Sequence, residues 1–413
     1  MQSTFLVVGY NGSRVYDITN LRKLCASRHS ATLTLITKQA QPADYDAADA
    51  VLVCPLGSDN IEASSDFVVS EISKQNLKVV GILPFSDFGI LLGAHLSRHY
   101  QLPGISPADA PPGLDKRAYR DLERADLARP PTHNPIYNVQ VNTLEQLNAV
   151  VAHLGGRAFV KPANFGNSHG CIALYNINEC APAWKKLSAF HDGGVLVEEL
   201  VMGAKEFSWD FVAGYSWITE KETTQDSFRA EIQQIVPAKL SNKESRLLND
   251  AGHYMRNLVS VDNGAFHNEI FLRADSTSTV ETNMRPAGMH IWDLANLSFK
   301  SFDPWHCWLA WATDGAFISG TLERQSYSGI RMIRAPSSGV LKFLPDVEQI
   351  AANLNISFVS FKFNKALGAS VTEEVTDNAS FIGEVIVADE DYDTLRNNLL
   401  LLTEAIESKV VIH

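Results

Sequence analysis

Two carboxylates, an amide and an arginine stand at alternating positions past the middle of the chain: Glu269 in the run Gly264–Arg273, then Glu281, Asn283 and Arg285 in the run Thr279–Gly288. A short polar connection separates the runs, so they read as an antiparallel hairpin. Pairing Glu269 with Glu281 also pairs His267 with Asn283, because partners in such a ladder step in opposite directions. Opposed residues share a face, and the two-residue period adds Arg285 to it. Two carboxylates held face to face repel unless something compensates them, and a divalent cation does so. Glu, Glu and Asn form an all-oxygen donor set, which suits Mg²⁺ or Mn²⁺ rather than zinc. The alternative is a slipped register that leaves the charges in solvent.

Two further segments have chemistry of their own. Phe159-Val-Lys161-Pro162 reads as a strand ending in a lysine, followed by a small-residue loop containing Gly166, Ser168 and Gly170, then a second strand to Leu174. Backbone N–H groups in such a loop can wrap a polyphosphate while the lysine supplies a point charge; a plain hairpin with a glycine-rich turn fits the same pattern. Val195 to Asp210 runs through Glu198, Glu199, Leu200 and Val201 to Glu206. It can offer backbone groups to an adenine edge and carboxylates to an amino group and to ribose hydroxyls, or it can be a solvated acidic turn. ATP with Mg²⁺ is the ligand that uses all three segments.

The elements that must position these residues fall into three regions. From 1 to 113, the strand-like runs Phe5–Gly9, Thr32–Thr37, Ala50–Cys54 and Lys78–Leu83 alternate with helical stretches around 14–28, 62–75 and 88–100. Continuous apolar strands separated by helices indicate a parallel sheet covered on both faces. Gly9-Tyr-Asn-Gly-Ser13 follows the first strand, where it is either a tight strand-to-helix turn or a ligand contact. The stretch Pro103–Gly113, rich in proline and glycine, marks a boundary, and Asp115 caps a helix from Lys116 to about Leu127. A nucleotide-binding and catalytic region spans 114–315. The region 316–413 has a strand at Ile330–Ala335 and a helix at Tyr392–Ser408, with nothing catalytic in it.

Composition narrows the function class. The 413 residues have a net charge of −12, with 45% apolar and 20% charged residues. Without a block of basic residues, this acidic chain is a poor partner for nucleic acid or an anionic membrane, and a small molecule is the better expectation. No apolar run reaches the roughly 18 residues of a membrane span, and the N-terminus lacks a basic leader, so the cytoplasm is expected. Five dispersed cysteines without a C-x-x-C fit neither a disulfide framework nor a zinc site.

Taken in order, Asp115-Lys116, Lys161-Pro, Gly166–Gly170, Val197-Glu-Glu199, Glu206, Glu269 and Glu281-x-Asn283-x-Arg285 resemble the motifs of ATP-grasp carboxylate–amine ligases, and the likeness runs from the first region to the end. Within that family the chain looks most like the dipeptide-forming L-amino acid ligases, some of which serve peptide-antibiotic pathways. The resemblance implies an α/β chain with the ATP-grasp fold, an N-terminal parallel-sheet (pre-ATP-grasp) domain and a small α+β C-terminal domain. It implies that Lys116 and Lys161 contact ATP phosphates, that the loop with Gly166 and Ser168 closes over them, and that the backbone from Glu199 through Leu200 to Val201 meets adenine with Glu198 near its amino group. Glu206 would hold the ribose. Glu269, Glu281 and Asn283 would bind two Mg²⁺ ions, with Mn²⁺ as a substitute, and Arg285 would stabilise the reacting centre.

The following run, Gly288-Met289-His290-Ile-Trp292, would line the acceptor pocket, with His267 as a further substrate contact. Trp292, Trp305, Trp308 and Trp311 fit either a pocket wall or a core. One departure is visible: where related ligases carry His in H-x-x-P, this chain has Gln234-Ile-Val-Pro237. The implied reaction forms an acyl phosphate from a substrate carboxylate and ATP, then an amide by attack of an amine. Alternatives are an amide ligase using a different carboxylate, a biotin-carboxylase-like enzyme, or a nucleotide-binding protein without turnover. The family also implies a homodimer.

Overall fold

The computed structural model describes residues 1–10, 12–163 and 170–413. The first region contains β1 (Gln2–Val8), α1 (Val15–His29), β2 (Thr32–Thr37), α2 (Pro42–Ala47), β3 (Ala50–Val53), α3 (Ile61–Lys74), β4 (Leu77–Pro84) and α4 (Ile90–Tyr100). Its four strands form a sheet in the order β3-β2-β1-β4, every neighbouring pair parallel. The reason is visible in β1, whose Phe5, Leu6, Val7 and Val8 are all fully buried: apolar side chains on both faces need helices on both sides. Gly9 ends β1 in the left-handed region at φ +79°, making a tight turn into the following helix.

Next come α5 (Lys116–Ala125), β5 (Asn138–Val141), α6 (Leu144–His153), β6 (Ala158–Pro162), β7 (Ile172–Leu174), α7 (Cys180–Lys186) and β8 (Val195–Glu198). The Asp115 carboxylate accepts from the Arg117 backbone N–H and starts α5. The four strands build a small antiparallel sheet, ordered β5-β8-β6-β7. Then follow β9 (Lys205–Val212), β10 (Tyr215–Thr223), β11 (Glu231–Val236), α8 (Asn242–Val259), β12 (Ala265–Leu272), β13 (Thr277–Asn283), α9 (Ile291–Ser298) and α10 (Pro304–Asp314). The last hundred residues contain β14 (Tyr327–Ile333), β15 (Gly339–Phe343), α11 (Val347–Leu354), β16 (Ser360–Phe363), β17 (Ser370–Val371), β18 (Gly383–Asp389), α12 (Tyr392–Glu407) and β19 (Val411–Ile412).

An eight-stranded sheet, ordered β13-β12-β9-β10-β11-β14-β18-β16, is the frame of the molecule. Three of its strands come from beyond residue 316, joined through antiparallel pairing of β11 with β14, so the sheet runs continuously from the middle region into the last. Alternation along β9 decides its two faces. Phe207, Trp209 and Phe211 point to an apolar layer with Leu248, Ala251 and Met255 of α8, while Glu206, Ser208 and Asp210 point the other way. A second core joins the first sheet to α9 and α10 and contains Phe85, Trp292, Trp305, Trp308 and Trp311. Among the described residues no helix is long and apolar enough to cross a membrane.

Candidate active site

The polar face of the eight-stranded sheet forms one wall of a cleft of about 2240 Å³, which also opens onto β6, β8 and the ends of β1 and β4. In the hairpin β12–β13, Glu269 pairs with Glu281 and His267 with Asn283, the register expected from the sequence; the ladder shifts just beyond Glu269. The same ladder continues inward, setting His267 opposite Asp210 and Glu269 opposite Ser208, while Lys221 of β10 lies opposite Glu206. These pairings gather side chains far apart in sequence onto one face.

Several carboxylates in the cleft have cationic partners. Lys116 Nζ lies 3.0 Å from Glu281, and Lys161 Nζ lies 2.8 Å from Glu198. Lys221 is enclosed by Glu231 at 2.5 Å, Glu269 at 2.8 Å and Glu206 at 3.4 Å. Burial raises the Glu206 carboxyl, with Glu269 and Glu231 adding to the effect against Lys221, so it titrates at about 7. Burial also acts to raise Glu269, but Lys221 and His267 outweigh it and hold that carboxyl well below the usual range. His267 donates from its two ring nitrogens to Asp210 at 2.7 Å and Glu269 at 3.1 Å. These carboxylates overcome the burial that would lower it and push it up to about 9, so it is an imidazolium at neutral pH.

Arg285 is fixed on several sides. Its Nε and Nη2 donate to the two oxygens of Asp87 at 2.9 and 3.2 Å, Nη2 also reaches Asn283 Oδ1 at 3.2 Å, and Nη1 donates to the Pro286 carbonyl at 3.1 Å. Glu269 and Glu281 face the cleft, and the Asn283 amide oxygen stands just behind them on Arg285. This donor set is wholly oxygen, with two carboxylates on adjacent strands, and fits a hard divalent cation such as Mg²⁺.

No family model matches the chain. Among curated proteins it is 32% identical over 121 residues to a D-alanine–D-alanine ligase of Chlorobaculum parvum, and the match spans 29% of this chain and 29% of that protein. It is 38% identical over 63 residues to the enzyme of the same name from a Thermoanaerobacter species, 15% of this chain and 17% of that protein. The chain thus spans less than a third of the length of these relatives. An L-amino acid ligase from Bacillus licheniformis superposes over 100% of this chain and 99% of its own, with a TM-score of 0.79 and 16% identity. The chain has the ATP-grasp ligase fold. A phosphoribosylglycinamide synthetase from Anaerococcus prevotii superposes over 100% and 99% of the two chains with a TM-score of 0.66 and 16% identity.

Within this ATP-grasp fold, Lys116, Lys161, Glu198, Glu199, Leu200, Val201, Glu206, His267, Glu269, Glu281, Arg285, Gly288, Met289 and His290 all line the cleft. Gly166 and Ser168 lie outside the described residues. Two expectations need correction. Trp292 does not line the cleft: it is fully buried, with its ring 4.8 Å from Trp305 and 5.6 Å from Trp308, because α9 turns that face into the core. Of the four clustered tryptophans, Trp305 alone reaches the cleft among the described residues. Glu198 does not present a free carboxylate: Arg120 Nε holds one oxygen at 2.9 Å and Lys161 the other at 2.8 Å.

His290 has its two ring nitrogens on Asp293 at 2.8 Å and Glu384 at 3.2 Å, which push it up to about 10 against burial. Both ring nitrogens are thus engaged by carboxylates, while the ring still borders the cleft. Gln234, which stands where related ligases carry His, is buried with Nε2 3.7 Å from Met289 Sδ. Lys221, Asp210 and Asp87 escape a reading of the sequence. For Asp210 a signal exists, since it continues the period-two row Glu206, Ser208, Asp210; Lys221 and Asp87 become site residues only through non-local pairing.

Proposed function

We propose that the chain is an ATP- and Mg²⁺-dependent ligase that joins an L-amino acid, through its carboxylate, to the amine of a second amino acid and releases ADP and phosphate. The observation that carries this reading is the Glu269–Glu281 pair, opposed on one hairpin in the same cleft as Lys116, Lys161 and Arg285. The ATP-grasp ligase fold supports it independently.

In this reading Lys116 and Lys161 reach the phosphates, the backbone of Glu199, Leu200 and Val201 meets the adenine edge, and Glu206 takes the ribose. Glu269, Glu281 and Asn283 would hold Mg²⁺, which when bound neutralises phosphate charge and orients the phosphates. A substrate carboxylate oxygen attacks the γ-phosphorus, ADP leaves, and an acyl phosphate forms. The second amine then attacks the acyl carbon, loses a proton, and phosphate departs. Negative charge gathers first on the transferring phosphoryl group and then on the tetrahedral oxygen. Lys161, fixed by Glu198, and Arg285, fixed by Asp87, are preorganised cations for those two charges. Glu198 and Arg120 keep Lys161 from swinging away, and Arg120 also donates to the Val280 carbonyl at 2.9 Å, tying the small sheet to β13.

The partners in this reading are small molecules, and the enzyme works as a homodimer in the cytoplasm. Phosphate release from ATP and Mg²⁺ with every pair of the twenty amino acids, followed by mass spectrometry, tests the reaction. A pair-dependent signal with a product of two amino acids minus water is expected. Silence across all pairs with ATP binding intact overturns the amino-acid reading.

A further inference from the structure

The geometry points to Asp87 as the residue that positions Arg285 for the reaction, and to the Gly9 turn as the seat that holds Asp87 in place. This rests on the ligase reading above, in which Arg285 stabilises the reacting centre.

Asp87 belongs to the first region, almost two hundred residues before Arg285. Its carboxylate takes the Nε–Nη2 edge of the guanidinium in a two-point contact, the geometry in which a carboxylate fixes both the place and the plane of an arginine. Asn283 and the Pro286 carbonyl meet other hydrogens of the same group. Without Asp87, a long side chain with several rotatable bonds would keep only those two neutral acceptors, and its charge would spread over many orientations. The side chains are largely sheltered, 12% exposed for Arg285 and 20% for Asp87, so water offers a limited substitute.

The backbone beneath Asp87 is built to be rigid. Phe85 N–H donates to the Val8 carbonyl at 2.8 Å, Gly89 N–H to the Ser86 carbonyl at 2.8 Å, and the Ser86 hydroxyl to the Gly9 carbonyl. Gly9 and Gly89 pack backbone to backbone: a Cβ on Gly9 would overlap Gly89, and one on Gly89 would overlap the Val8 carbonyl. Two glycines thus let the end of β1 and the turn after β4 approach more closely than side chains allow. The turn after β1, which the sequence leaves as either a tight turn or a ligand contact, packs against and anchors the Asp87 turn. The first region therefore contributes to the chemistry of the cleft by holding its arginine.

The test compares wild type with Asp87→Ala, Asp87→Asn and Asp87→Glu, using the amino-acid pair that wild type accepts. For Asp87→Ala, kcat falls about 100-fold while KM for ATP stays near wild type, because a cation misplaced by about 1 Å costs that much in rate without touching the nucleotide pocket. Asp87→Glu recovers part of the rate by restoring the carboxylate; a merely structural contact would instead move the midpoint and leave kcat. If Asp87→Ala does not fold, Asp87→Asn, which keeps size and one acceptor, carries the same expectation. A wild type that turns over with Asp87→Ala or Asp87→Asn within about threefold of it overturns the positioning role alone. A wild type silent with every pair overturns the ligase reading, and this inference with it.

Discussion

Replacing Lys221 by methionine keeps nearly the same side-chain length and removes the ammonium that Glu206, Glu231 and Glu269 share. The ammonium is wholly enclosed, and its three partners lie at 3.4, 2.5 and 2.8 Å. Deleting one member of a buried ionic cluster costs about 3–5 kcal/mol, because the remaining charges stay buried without compensation. Against a typical stability of about 5–15 kcal/mol this is a large loss. The pH dependence gives the reasoning a second edge. In the variant, burial and mutual repulsion raise the carboxyls above the unfolded value of 4.5, so the folded state binds more protons than the unfolded one. A group raised in this way contributes stability that is full below pH 4.5 and is lost as pH climbs through its folded value. Wild-type Glu269 is held low instead, so its contribution is present above pH 4.5 and is lost as pH falls. Between pH 5 and pH 8 the Glu269 contribution is already complete, so the raised carboxyls of the variant, offset in part by wild-type Glu206 at about 7, make the gap widest near pH 8 and narrower toward pH 5. Thermal unfolding followed by tryptophan fluorescence at the two pH values measures it, with a drop of roughly 5 °C or more expected at pH 8. A variant as stable as wild type at pH 8, or a gap that widens on acidification, refutes the account of Lys221 as the charge that makes this cluster tolerable.

Two further outcomes follow from the same geometry. Glu281→Ala removes one of the two opposed carboxylates and abolishes ATP-dependent phosphate release while leaving the fold intact by circular dichroism; persistent turnover would show that Glu281 has no part in the chemistry. The His290 imidazolium, held between Asp293 and Glu384 with Asp17 nearby, has a folded value of about 10 against 6.5 unfolded. Its contribution to stability is complete below pH 6.5 and is lost as pH rises toward 10. The stability difference between wild type and His290→Gln should therefore be constant at low pH and shrink across that window, a trend that unfolding curves at pH 6, 8 and 10 would reveal or deny.

How much of this is legible in the sequence depends on whether the determining contact is local. The β12–β13 register follows from a short connection and a two-residue period, so the pairing of Glu269 with Glu281 can be read from the residues themselves. The parallel first sheet follows from apolar runs that leave no polar face. The aromatic run in α9 and α10 is ambiguous because a helical period does not say which neighbour covers it, and Trp292 faces the core. Glu198 has the composition of a ligand contact, yet Arg120, one helix away, claims it. The place of β14, β16 and β18 in the eight-stranded sheet is not legible because β11 and β14 are nearly a hundred residues apart, and no local pattern encodes that pairing.

The central sheet explains why these residues act as one unit. Glu206, Lys221, His267, Glu269 and Glu281 line the cleft, with Ser208, Asp210, Thr219 and Asn283 buried beside them on the same face, only because four strands keep mutual register. The alternate residues of β9, Phe207, Trp209 and Phe211, are committed to the apolar layer over α8, where Gly252 leaves space for the indole of Trp209. A slip of one residue in any of these strands would send its acids toward α8 and its aromatics into the cleft, against the burial of both. The apolar face thus locks the register of the polar face, and stability and site geometry share a single cause. Within that lock, Thr219 and Ser208 each donate to Asp210 at 2.7 Å, Asp210 holds His267, and His267 with Lys221 holds Glu269. The position of the Glu269 carboxylate in the cleft is therefore set by a chain of charge-assisted contacts across three strands, each strengthened by burial from water.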